Sequence, residues 1–129
     1  MSQSSSSSPC PPTNASPTDG DYFRCCRQAE PHGDDFLNAV EQGTFRRSDQ
    51  CRRMSLSVFR SLEDAMHHAR LYPRRKWAYV RVAKLGPEHG HDLLTTGTMP
   101  THSSWWPPVE MTPSDRSRPF AVVVEVTRE

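Results

Sequence analysis

Residues 54–84, MSLSVFRSLEDAMHHARLYPRRKWAYVRVAK, decide the fold. Ser55-Leu56-Ser57-Val58-Phe59 is apolar at alternate positions, the period of a half-buried strand. Ser61, with Asp64 three residues on, opens a helix in the manner of a capping box, and Pro73 closes it. Between them Leu62, Ala65, Met66, Ala69 and Tyr72 fall on one stripe at helical spacing, and Arg70 near the C-terminal end suits the helix dipole. His67 and His68 lie off the stripe centre and read as boundary residues. From Trp77 to Lys84 the chain alternates again, with Ala78, Val80 and Val82 on one face and Trp77, Tyr79, Arg81 and Ala83 on the other. Strand, helix and strand in succession predict an α+β domain.

Working toward the N-terminus, Tyr22 to Cys26 reads as a first strand. Tyr22, Arg24 and Cys26 share one face; Phe23 and Cys25 share the other. A basic side chain inside so short a strand is either an edge residue facing water or a site residue facing a cleft. Pro31-His32-Gly33 breaks the chain. Asp34 or Asp35 then caps an expected short helix reaching Gln42, with Phe36, Leu37 and Val40 inward and Gly43 just past its end. Residues 44–53 show no period and read as an arginine-rich loop. Met1 to Gly20 is nearly all Ser, Pro, Thr, Gln and Asn. Such a segment buries too little to offset its ordering entropy, so residues 1–20 are expected to be a disordered tail and 21–129 a single domain.

Toward the C-terminus the pattern disappears between Gly86 and Pro119. Irregular segments of this length in a small domain are usually functional or disordered, and Trp105-Trp106 argue for a loop pinned to the domain. Phe120 to Val126 is apolar on both faces until Glu125, which predicts a central strand. The expected architecture is a small mixed or antiparallel sheet of about four or more strands with two helices. A long irregular loop precedes the central C-terminal strand.

Composition narrows the function classes. The chain has 129 residues, 34% hydrophobic, with 12 prolines, enough for one modest core. Its net charge of +1 supplies no whole-chain attraction to nucleic acid. Arg46, Arg47, Arg52 and Arg53, and separately Arg74, Arg75 and Lys76, read as solvated loop and helix-end charges rather than a phosphate track. No stretch approaches the length of a membrane span, and no apolar export segment is evident, so a cytoplasmic setting without membrane contact is expected. The four cysteines, Cys10, Cys25, Cys26 and Cys51, include no C-x-x-C pair and are expected as reduced thiols. His89-Gly90-His91-Asp92 reads as a turn rather than a metal site. Neither a G-x-S-x-G nucleophile motif nor a Gly-rich phosphate loop occurs. Thr101-His102-Ser103-Ser104-Trp105-Trp106 is the richest polar and aromatic cluster, suited to holding a planar ligand by stacking and hydrogen bonding.

The order of elements resembles a reduced ADP-ribosyltransferase-like layout. Tyr22-Phe23-Arg24 matches the opening strand with its basic residue, Ser55-Leu56-Ser57 the strand bearing hydroxyls before a helix, and Glu110 the late acid. The resemblance implies NAD as the candidate ligand and Glu110 as the catalytic acid. It implies Arg24, Ser55 and Ser57 as ligand-binding residues, to which His102, Trp105 and Trp106 of the late loop are added. The same layout is similar to small bacterial proteins that combine a Tyr-Arg strand, a Ser-x-Phe strand before a helix and a late His-Trp loop. The alternative is a non-catalytic module that binds a protein partner through the tryptophan loop.

Overall fold

Among the described residues, seven antiparallel strands form one sheet, and three short α-helices complete an α+β domain. The structure, a computed structural model, describes residues 9–43, 50–94 and 100–127. The strands are β1 (Ser16–Pro17), β2 (Gly20–Cys26), β3 (Leu56–Phe59), β4 (Tyr79–Leu85), β5 (His91–Leu94), β6 (His102–Trp106) and β7 (Val122–Glu125). The α-helices are α1 (Gln50–Arg53), α2 (Leu62–Leu71) and α3 (Pro113–Ser117). Across the sheet the order is β1-β5-β6-β3-β2-β4-β7.

Each face of the sheet carries a core. On one, Tyr22, Leu56, Val58, Leu85 and Trp105 pack with Phe36 and Phe120. On the other, α2 lays Ala65, Met66 and Ala69 over Cys25, Phe59 and Val80. Alternation along β2 and β3 produces this division, since neighbouring side chains point to opposite faces. Burying each large apolar side chain contributes about 1.5–3 kcal/mol, so both layers hold the sheet. The start of α2 is as its sequence implies: the Ser61 hydroxyl accepts the Asp64 backbone N–H. Leu62 and Tyr72, at the ends of the expected stripe, are exposed.

Several expectations are corrected. The C-terminal strand is an edge strand, not a central one: β7 pairs with β4, and Val122 and Val123 lie exposed. Its apolar double face misled because Phe120 belongs to the turn before it and packs against Phe36 and Trp105. The segment from Gly86 to Pro119 is not irregular, since it contains β5, β6 and α3. Its strands run only four and five residues, too short to display a period. The helix expected to reach Gln42 is a 3₁₀ turn at Gly33–Phe36 followed by a turn in which Asn38 and Glu41 side chains each accept the other's backbone N–H. Polar side chains here replace helical bonds.

Part of the N-terminal segment is bound to the sheet. Ser16 and Pro17 pair with Asp92 and His91, and the fully buried Thr18 donates its hydroxyl to the Gly86 carbonyl. Cys10 is bonded to Cys51, so two of the four expected thiols form a disulfide, while Cys25 and Cys26 are free and buried. The rest of the expected tail, residues 1–8, lies outside the described residues, as do Arg46 and Arg47. Among the described residues no helix is long and apolar enough to cross a membrane.

Candidate ligand cleft

The middle of the sheet is split. Strand β2 pairs with β4 along its whole length, from Gly20–Leu85 to Cys26–Tyr79. Against β3 its register holds one residue pair among the described residues, Phe23 with Phe59. Beyond that point the strands part, and a cleft of about 760 Å³ opens between Arg24 and Cys25 on one side and Leu56 and Ser57 on the other. Arg24 bridges the gap. Its Nε donates to the Asp35 carbonyl at 2.8 Å and its Nη1 to the Ser57 carbonyl at 2.7 Å, an acceptor that a paired β2 would have engaged. The guanidinium also stands over the Phe36 ring, 5.2 Å from its centroid. Burial lowers its pKa, but an arginine remains charged at any physiological pH. Among the described residues no acceptor meets its Nη2.

The remaining walls are basic and aromatic. Arg27 and Arg75 line one end, and Arg52 and Arg53 of α1 line another. The carboxylates among the lining residues are Asp34 and Asp35. Asp35 is already engaged, accepting the backbone N–H groups of Arg27 and Gln28 at 3.1 and 2.9 Å. Guanidinium groups therefore outnumber carboxylates, and the cleft favours an anion. His68 stacks on Trp77 with ring centroids 5.1 Å apart and also meets Phe59 at 5.0 Å. His102 meets the other side of Phe59 edge-on. Burial pulls the pKa of His68 down, aided by repulsion from His102, Arg75 and His67; burial and Arg52 do the same for His102. Both shifts favour the neutral imidazole.

Of the residues expected at a site, Arg24, Ser55, Ser57 and His102 come together along this cleft. Trp105 and Trp106 do not line it. Both are buried in β6, where their indole N–H groups donate to the His89 and Cys51 carbonyls. They are core residues, and no exposed tryptophan patch exists in this loop. A strand places successive side chains on opposite faces, yet here both faces are covered, by the core on one and by α1 on the other. Glu110 occupies an exposed turn after β6 and is not among the lining residues. Sequence reasoning missed Trp77 and Phe59 as the aromatic wall. The alternation of residues 77–83 assigned Trp77 to the face of Arg81, whereas Trp77 precedes β4 and packs with Val80 on the face that α2 covers.

Other polar clusters serve the fold. The Tyr22 hydroxyl donates to Asp92 at 2.9 Å and accepts the Asp19 N–H; burial is the main reason its pKa rises to about 12. His89 Nδ1 accepts the Gly86 N–H, which closes the His-rich turn. Among the described residues no group of three or more His, Cys, Asp or Glu side chains is placed to hold a metal ion. Cys25 lines the cleft, but burial pushes its thiol up to about 12, so it is no nucleophile at neutral pH. Comparison with protein-family models, with curated proteins and with solved structures finds no match to this chain.

Proposed function

We propose that this domain binds a nucleotide in the split of its sheet, with NAD as the candidate ligand, in the manner of an ADP-ribosyltransferase-like fold. The observation that carries the reading is the convergence of Arg24, Ser55, Ser57 and His102 on one cleft that also holds a surplus of guanidinium groups. Arginine recognises phosphate oxygens two at a time, because its planar donors match their spacing. The aromatic side of the cleft is formed by Trp77, backed by the buried Phe59, rather than by Trp105 or Trp106, and suits a base or a nicotinamide. Ser55 and Ser57 supply hydroxyls within the same walls.

The proposal is for binding, with no transfer step assigned. Glu110, the acid implied by the resemblance, stands in an exposed turn outside the cleft walls. The carboxylates that do line the cleft are Asp34, which is exposed, and Asp35, which holds two backbone N–H groups. Titrating NAD while following tryptophan fluorescence tests the reading. Binding quenches Trp77, raises the melting temperature, and releases no nicotinamide. Millimolar NAD that produces neither quench nor thermal shift sinks it.

A further inference from the structure

The disulfide between Cys10 and Cys51 holds the arginine-bearing rim of the cleft, and we propose that its reduction is a switch that loosens this rim and weakens anion binding. The regulatory half of this inference rests on the nucleotide reading above; the structural half does not. Helix α1 has only four residues and buries no side chain. A helix of one turn does not persist by itself, so its position depends on what ties it down. Hydrogen bonds that do so run from the Trp106 indole to the Cys51 carbonyl, from the Ala39 N–H to the Arg53 carbonyl and from the Asn38 amide to the Met54 carbonyl. A further tie is covalent. Cys51 joins Cys10, whose segment is itself anchored downstream where Ser16 and Pro17 pair with β5.

The consequence for the cleft follows from sequence adjacency. Arg52 and Arg53, next to Cys51, line it. Ser55, three residues on, lines it too and ties its hydroxyl to the Arg52 carbonyl at 2.7 Å. Loss of the covalent tie uncouples α1 from the anchored N-terminal strand and leaves the two guanidiniums on a one-turn helix held by hydrogen bonds. A mobile arginine must be ordered again at each binding event, and that ordering costs affinity.

The bond is reachable and the other thiols are spectators. Cys10 is exposed, and Cys51 is half-buried. Cys25 and Cys26 are both buried, with thiols pushed up to about 12, mainly by burial. They carry almost no thiolate at neutral pH and do not exchange into the bond. The reductant is a dithiol. One of its thiolates attacks Cys10 Sγ, the Sγ–Sγ bond breaks, and Cys51 leaves as a thiolate that takes a proton. The second thiol of the reductant then attacks its own sulfur in the mixed disulfide and releases Cys10. Two electrons have passed from the dithiol, now a cyclic disulfide, to the protein.

The test compares the oxidised chain, the chain reduced with dithiothreitol, and Cys10→Ser, with mass spectrometry after alkylation confirming the thiol state. Hydrogen exchange is followed in the peptide spanning 50–55, and inorganic pyrophosphate and NAD serve as binding probes. Faster exchange at 50–55 in both the reduced chain and Cys10→Ser, together with Kd raised tenfold or more, is the expected result. Unchanged exchange in a demonstrably reduced chain overturns the switch. Faster exchange with unchanged Kd overturns its control of the cleft. If neither probe binds any form, the nucleotide reading and the regulation fall together, and exchange still decides whether the disulfide holds α1.

Discussion

The two edges of strand β2 behave oppositely. One is zipped to β4 from end to end; the other touches β3 at Phe23–Phe59 and then leaves it. Each edge has its arginine, and the two are direct cross-strand partners, Arg24 with Arg81. Arg81 is sealed, 2% exposed, its guanidinium donating to the carbonyls of Phe120, Ala121 and Ala29. Arg24 meets two carbonyls and faces the cleft with what remains. The same residue type, on paired positions, closes one seam and borders a cavity at the other. The difference teaches that a side chain's role here is set by whether its strand has a neighbour, not by its strand or its charge.

Substitution at Arg81 gives the largest expected effect. Arg81→Met removes the donor of three carbonyls, the Phe120 bond being fully buried, and leaves the space of a buried guanidinium to be refilled; it should cost about 3 kcal/mol in urea unfolding. Arg24→Met should cost roughly 1 kcal/mol, since water reaches the cleft and can replace the lost donors. Equal costs would erase the distinction between the seams. Met66→Ala comes next. Met66 is buried under α2 on the face that β2 and β3 share before parting, and its loss should cost about 2 kcal/mol. An unchanged midpoint would place α2 in another register.

On the open seam the expected change is in binding rather than stability. Arg24→Ala should raise the Kd for NAD at least tenfold, about 1.4 kcal/mol, measured by calorimetry. An unaltered Kd would leave Arg24 as a rivet of the split and no more. The smallest effect is a pH dependence. The pKa of His68 is lower in the folded protein than in the unfolded chain, chiefly through burial. Its contribution is therefore complete above its unfolded value of about 6.5 and is lost as pH falls through the lower folded value. His68→Phe keeps a ring against Trp77 and removes the titration, so its stability should decline less than the wild type's below about pH 6.5. Parallel pH profiles would show that the imidazole does not titrate in this window.

What the sequence made legible follows the same division. The strand, helix and strand between residues 54 and 84 were readable because Leu56, Val58, Ala65, Met66, Ala69 and Val80 keep their periods and all end buried. That Arg24, Ser55, Ser57 and His102 share one cleft was legible in part: the first three are polar within otherwise apolar segments, and His102 sits in a run of polar and aromatic residues. The parting of β2 from β3 was not, because it depends on where pairing stops, and no residue type marks that point. Nor were β5 and β6: Asp92 and Ser103 are polar yet buried, satisfied by Tyr22 and by the Thr101 carbonyl, so the apolar period breaks where the strands run. Trp105 and Trp106 looked like ligand residues since their flanks are polar, but bonds to distant carbonyls turned them inward.

The closed seam also dictates when this chain can fold. Gly20 waits for Leu85 and Cys26 for Tyr79, so every rung of the ladder joins residues far apart in sequence. Contacts of that span are slow to form, because the loop between them must close before any rung repays it. During synthesis β2 emerges long before β4. Until the ribosome has delivered residues 79–85, the whole closed edge of β2 lacks its partner, and β3 alone is there to meet it. The nascent domain therefore spends most of its translation with its future centre bare, and its assembly is a late, nearly single event rather than a gradual one.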